Sequence, residues 1–264
     1  MASHTGRLTL APPTDGASRD LGGPEDTAVR VRGLTRGFDG RAVLRGVDLD
    51  IDRGEFVALL GRSGSGKSTL LRAVAGLDHG VAGAGVVDTP ESVSMVFQDS
   101  RLLPWQRVLA NVTLALPGPG ARERGRAALA EVGLEGRERA WPHELSGGEL
   151  QRAALARSLV REPRLLLADE PFGALDALTR TRMQDLLLRL TERHRPAVLL
   201  VTHSVDEAIV LADRVVVLSE GVVAADLRVD LAAPREVTDP GFAALRARLL
   251  SLLGVDREER ATGE

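Results

Sequence analysis

The segment Gly61-Arg62-Ser63-Gly64-Ser65-Gly66-Lys67-Ser68 constrains this chain more than any other. An apolar run, Phe56 to Leu60, precedes it. After it Leu70, Leu71, Val74 and Ala75 recur on one helical face, and Gly76 ends the pattern. Strand, glycine-rich turn and helix in that order make a P-loop. The glycines let the backbone curl until successive N–H groups point at one anion, and the helix N-terminus adds its dipole. Lys67 is placed to reach the β- and γ-phosphates of a nucleotide and Ser68, followed by Thr69, to ligate Mg²⁺.

Lys67 is the only lysine in the chain, although the sequence holds 34 lysine and arginine residues together. A forked guanidinium is wide, whereas an ammonium is a compact charge that fits inside a tight loop. The position therefore selects for lysine where the rest of the chain uses arginine.

A phosphate cradle needs carboxylates, and Leu165-Leu166-Leu167-Ala168-Asp169-Glu170 ends a buried strand with two. Ligands of open α/β sheets bind at the carboxyl ends of strands. Asp169 there suits a metal ligand acting through water. Glu170 suits a general base that orients and deprotonates an attacking water.

Leu145-Ser146-Gly147-Gly148-Glu149 precedes a helical run beginning at Leu150. Ser146, Gly147 and Gly148 at a helix N-terminus form a second anion site, built like the P-loop but without a lysine. With Gln151 and Arg152 beyond it, this segment resembles the signature of ATP-binding subunits of ABC transporters, which usually reads LSGGQ. Glu149 departs from the usual glutamine and is expected to point away from the phosphate turn.

The resemblance covers about Val29 to Leu218 and implies further roles. Ser146 would contact the γ-phosphate of ATP held by the opposite subunit. Gln98, after Val93 to Phe97, would touch Mg²⁺ and the lytic water. His203, after Ala197 to Thr202, would bond the γ-phosphate. Asp176, in Gly173-Ala174-Leu175-Asp176, would cross a dimer interface, and Phe38 would stack on adenine. Each motif occurs once, so a head-to-tail homodimer with two ATP molecules at its interface is expected.

The implied fold is α/β: a P-loop NTPase with a RecA-like parallel sheet, an antiparallel β subdomain and an inserted α-helical signature subdomain. Residues 28–230 form the ATPase domain, with 28–98 and 150–230 as catalytic core and 99–149 as the helical subdomain. Within the insertion Val108 to Leu116 and Glu123 to Val132 carry helical spacing. Residues 1–27, rich in Gly, Pro, Ser, Thr and Asp, read as a disordered tail, and 231–264 as a short helical extension with leucines between Pro240 and Gly254.

Segments outside the ATP site resemble the nitrate, taurine and aliphatic-sulfonate importer subgroup, with the aliphatic-sulfonate branch the best match. They are Val96 to Trp105, Trp141-Pro142-His143-Glu144, Ala174 to Arg180 and Val229 to Arg235. This implies two transmembrane permease subunits as partners, an indirect link to a solute-binding protein, and a peripheral place on the cytoplasmic face of the cell membrane. Trp105 is read either as apolar surface for the permease or as a subdomain core residue. An importer of another small solute, such as a pyrimidine precursor, and a non-transport ABC ATPase are the alternatives. The latter class carries a coiled-coil insertion or two cassettes, and this chain has neither.

Composition closes off other classes. A net charge of −3 and a pI near 6.0 give no field for holding nucleic acid, and no basic stripe replaces it. No apolar run of about 18 residues spans a bilayer and no signal-like leader is visible, so neither a membrane-spanning nor a secreted chain is expected. With no cysteine there is no disulfide or thiolate metal site.

Overall fold

The computed structural model describes residues 26–114 and 116–254. The central sheet has six strands in the order β5-β6-β7-β3-β8-β9. These are β3 (Phe56–Leu60), β5 (Val93–Phe97), β6 (Leu165–Asp169), β7 (Ala197–Val201), β8 (Arg214–Ser219) and β9 (Val222–Arg228). The first five run parallel and β9 closes the edge antiparallel to β8. β3 and β7 are buried at every residue, as expected of parallel strands covered on both faces.

Strand alternation divides the core in two. Phe56, Ala58, Leu60, Leu166, Ala168, Leu200 and Val217 face one cluster, and Val57, Leu59, Leu165, Leu167, Leu199 and Val216 face the other. The second cluster is filled by α1 (Lys67–Val74) and by a three-stranded antiparallel sheet. That sheet is ordered β2-β1-β4, from β1 (Thr27–Phe38), β2 (Arg41–Asp52) and β4 (Val86–Asp88). The first cluster takes the remaining helices. They are α2 (Val108–Val112), α3 (Ala121–Glu131), α4 (Gly147–Leu159), α5 (Ala177–His194), α6 (Val205–Leu211) and α7 (Pro240–Leu252).

Several expectations need adjustment. The helix expected over Val108 to Leu116 stops at Val112: Thr113 N still bonds Leu109 O (2.9 Å), but the next amide, Leu114 N, bonds Asn111 O (3.3 Å) in a tighter turn. α4 begins at Gly147 rather than Leu150, because Ser146 caps it: its hydroxyl accepts from Glu149 N at 3.3 Å. β4 and β9, which the sequence reading did not identify, are edge strands, so neither carries a continuous apolar run. Thr27 pairs with Asp52 in the antiparallel sheet, so the last residue of the expected tail belongs to β1. Residues 1–25 and the charged last residues of that reading lie outside the described residues. Among the described residues no helix is long and apolar enough to cross a membrane.

Candidate nucleotide site

Parallel strands deliver their C-terminal ends to one sheet edge. β3 leads into residues 61–66, β5 into Gln98, β6 into Asp169 and Glu170, and β7 into Thr202 and His203. Four expected site segments, far apart in sequence, thus converge because their strands are neighbours in hydrogen-bonding register.

The phosphate loop is packed tightly from behind. A Cβ at Gly61 would collide with Leu218 O and lie 2.5 Å from Ser65 Oγ. Gly66 sits at φ 106°, and a Cβ there would meet Leu44 Cδ2 at 2.8 Å. Both positions exclude any side chain. Ser63, Gly64 and Ser68 are exposed along the loop and helix start, and Thr69 is half-buried. Arg62 is exposed as well, with its carbonyl turned to the lysine.

Lys67 is buried, and its Nζ donates to Gly61 O (2.7 Å) and Arg62 O (3.0 Å). The ammonium is thereby held inside the curl of its own loop. Burial lowers its pKa, while Glu170 and Asp169 oppose that shift. The Asp169 carboxyl is pushed up, first by burial and next by the Glu170 charge, with Arg72, Arg101 and Lys67 pulling it down. A desolvated carboxylate beside a second one is a site that gains from a cation.

Glu170 occupies left-handed backbone, φ 47°, which aims its side chain across to β7. There Glu170 Oε2 lies 3.2 Å from His203 Nδ1, with His203 exposed. Ser65 Oγ is buried with no hydrogen-bond partner, an orphaned donor within the phosphate loop. The residues present therefore fit a phosphate group with a divalent cation: loop N–H groups, one ammonium, a helix N-terminus, two carboxylates and an unmet hydroxyl.

Gln98 is exposed at the end of β5, its Nε2 3.1 Å from where a Cβ on Gly173 would stand. Phe38 ends β1 with 44% of its surface exposed, free to take a flat partner.

Ser146, Gly147, Gly148 and Asp176 lie elsewhere. They share an open groove of about 720 Å³ with Ala174, Leu175 and Thr179, and its lining includes none of residues 61–69. Asp176 caps α5 by accepting from Thr179 N at 3.0 Å, which holds its carboxyl below the usual range. Glu149 does not point away as expected. Its Oε2 accepts from Ser146 N and from Ser146 Oγ, both at 2.9 Å, and its Oε1 pairs with Arg137 at 3.0 Å. The physical reason is the capping box: the third residue of a helix capped by serine returns to the cap.

Two polar residues matter more than the sequence reading gave them credit for. Gln151 is buried, and its Nε2 donates to Phe97 O (3.3 Å), Gln98 O and Pro171 O (3.2 Å). It ties α4 to the ends of β5 and β6. Asn111 accepts from Leu103 N (2.6 Å) and donates to the carbonyls of Leu103, Gln106 and Arg107, folding the segment that carries Trp105. A polar residue inside an apolar helical pattern was the available signal for both. Trp105 itself is 69% exposed, so of its two readings the core one is excluded.

The model of the ABC transporter family matches residues 44–173, spanning the phosphate loop, the serine-glycine turn and the Asp169-Glu170 pair. The aliphatic sulfonates import ATP-binding protein SsuB 2 of Rhizobium johnstonii is 64% identical over 97% of each chain. This chain belongs to the ABC transporter family. Another relative, the SsuB 2 protein of Nocardia farcinica, is 69% identical over 86% of this chain and 95% of its own. Among solved structures, the ABC cassette MJ0796, dimeric in a post-hydrolysis state with ADP and Pi, matches at TM-score 0.66 and 31% identity. That match covers 77% of this chain and all of the cassette. The CbiO1 cassette of Clostridium perfringens matches at TM-score 0.71 and 28% identity, covering 88% and 99%. The chain is an ABC-type ATPase cassette with the P-loop α/β fold of that family.

Proposed function

We propose that this cassette binds and hydrolyses Mg·ATP as a two-fold homodimer and thereby energises import of aliphatic sulfonates. The observation that carries the dimer is the groove holding Ser146, whose lining contains no residue of the phosphate loop. A nucleotide on Lys67 then needs the serine-glycine turn of a second copy. The dimeric state named for the MJ0796 cassette supports this reading. The solute is supported by relatives at 64% and 69% identity, each named for aliphatic sulfonates import; taurine and nitrate are the next solutes in that subgroup.

In this reading Lys67 and the loop amides hold the β- and γ-phosphates, Phe38 lies against adenine, and Ser68, Gln98 and Asp169 would hold Mg²⁺, which would supply neutralisation of the phosphate charge. Glu170 takes the proton of the attacking water, which adds to the γ-phosphorus as the bond to ADP breaks. His203, beside Glu170, steadies that carboxylate and donates toward the γ-phosphate. Ser146, Gly147, Gly148 and Asp176 act from the partner copy. Residues 28–98 and 150–230 serve as catalytic core, 99–149 as the helical arm and 231–264 as an extension. The exposed Trp105 belongs to the face offered to two permease subunits, which bring the cassette to the cytoplasmic side of the membrane; a solute-binding protein acts through them.

The test uses Glu170→Gln, which keeps size and removes the base. It should form a stable dimer at saturating Mg·ATP in size-exclusion chromatography and fail to restore growth of a deletion strain on an alkanesulfonate as sole sulfur source. The unaltered chain should restore that growth. A variant that stays monomeric overturns the shared site, and no growth with the unaltered chain overturns the solute.

A further inference from the structure

At the sheet edge opposite the phosphate loop, Arg30, Arg53, Arg164 and Arg195 line a concavity of about 280 Å³ with Thr27 and Thr89. Asp88 is the one carboxylate in its lining. Arg30 has a partner nearby, Asp50, at 4.0 Å. The guanidinium groups of Arg53, Arg164 and Arg195 have no hydrogen bond or ion pair to any described residue, though acid is plentiful in a chain of net charge −3.

The backbones that carry them are pinned. Arg53 N donates to Asp26 O (2.8 Å), Arg164 N to Ser92 O (2.9 Å) and Arg195 N to Thr191 O (2.8 Å). Arg195 also stands at φ 48°, in left-handed backbone just past α5, a position where glycine is the unstrained choice. Arg53, Arg164 and Arg195, exposed and unpaired on fixed backbone, surround one hollow with Arg30 and a single carboxylate, Asp88, so the lining carries a net positive charge that an anion between them would neutralise. Guanidinium forks match the oxygens of tetrahedral anions in pairs, and the two threonine hydroxyls add donors.

We propose that this concavity is an anion site for a small tetrahedral oxyanion (sulfate, organosulfonate or phosphate), separate from the nucleotide site. Its volume takes the oxyanion with a short organic substituent. Arg53, Arg164 and Arg195 lie just before β3, β6 and β7, the strands that end in the phosphate loop, Asp169-Glu170 and His203. The anion therefore sits at the starts of the strands whose ends carry the nucleotide chemistry.

Isothermal titration calorimetry of the full chain, with its nucleotide site saturated by Mg·ADP, tests this at low ionic strength. Sodium sulfate, sodium phosphate and sodium methanesulfonate are titrated separately against sodium chloride of matched ionic strength. At least one should bind at one site per chain above the chloride control, and the tightest of the three identifies the source. Arg164→Gln with Arg195→Gln should weaken that binding at least about tenfold, and Arg164→Lys with Arg195→Lys, which keeps the charge but loses the fork, should weaken it by less than the glutamine pair does. Circular dichroism melts establish that both double variants are folded. No heat above the chloride control, or binding that the glutamine pair leaves unchanged, overturns the proposal.

Discussion

Replacing Glu149 with glutamine isolates what its carboxylate does to the serine-glycine turn. The Ser146 hydroxyl donates to Glu149 Oε2 at 2.9 Å, so the group proposed to meet the γ-phosphate already has a partner within its own chain. A hydrogen bond to a charged acceptor is worth about 1.5–3 kcal/mol net, and one to a neutral acceptor about 0.5–1.5. Freeing the hydroxyl from glutamine is therefore easier by about 1 kcal/mol, a factor of about five in the apparent affinity of the dimer for Mg·ATP. The amide oxygen still accepts from Ser146 N, so the cap survives, and the lost pair with half-exposed Arg137 costs at most about 1 kcal/mol. Steady-state ATPase assays should thus give a KM for ATP about fivefold lower, with a melting temperature within roughly 3 °C of the parent. The Glu149 carboxyl is held below its usual range, first by the Ser146 amide and then by its hydroxyl. A depressed folded pKa means that the stabilisation is present above the unfolded value and is lost only as pH falls through the folded one. The difference between parent and variant should accordingly be flat across roughly pH 6 to 8. A KM that is unchanged or raised refutes the idea that Glu149 competes for the serine.

Gln151→Leu removes three bonds to the carbonyls of Phe97, Gln98 and Pro171 and should cost about 2–3 kcal/mol, read as a melting temperature lowered by roughly 5–10 °C. A loss below about 2 °C would show that α4 does not depend on this clamp. Asp169→Asn should move stability the other way. The folded-state pKa of Asp169 is raised, so its ionised form subtracts from stability above that value and the penalty vanishes as pH falls below the unfolded one. The variant should melt higher than the parent at pH 7 without nucleotide, lose the gain by about pH 4, and show no Mg²⁺-dependent hydrolysis. A variant that melts lower at neutral pH contradicts the sign.

Much of this chain was legible from its residues because the informative signals are local. An apolar run, a glycine turn and an amphipathic helix are contiguous between Phe56 and Gly76, and each element follows from backbone freedom and side-chain period. The sole lysine follows that turn directly as the first residue of α1, and the paired carboxylates Asp169 and Glu170 are adjacent at the end of β6. What tertiary structure alone decided depends on residues brought together across the fold. Strand order put His203 beside Glu170, and packing drew Gln151 onto three carbonyls from two other segments. The tertiary fold also gathered four arginines from four separate segments around one hollow, which no linear pattern encodes. Glu149 marks the boundary between the two: its identity and its spacing from Ser146 are sequence facts, but the hydroxyl it occupies became apparent only once the helix cap was folded. Periodicity carries information along one element, whereas hydrogen-bond partners and electrostatic neighbours are set by which elements lie side by side.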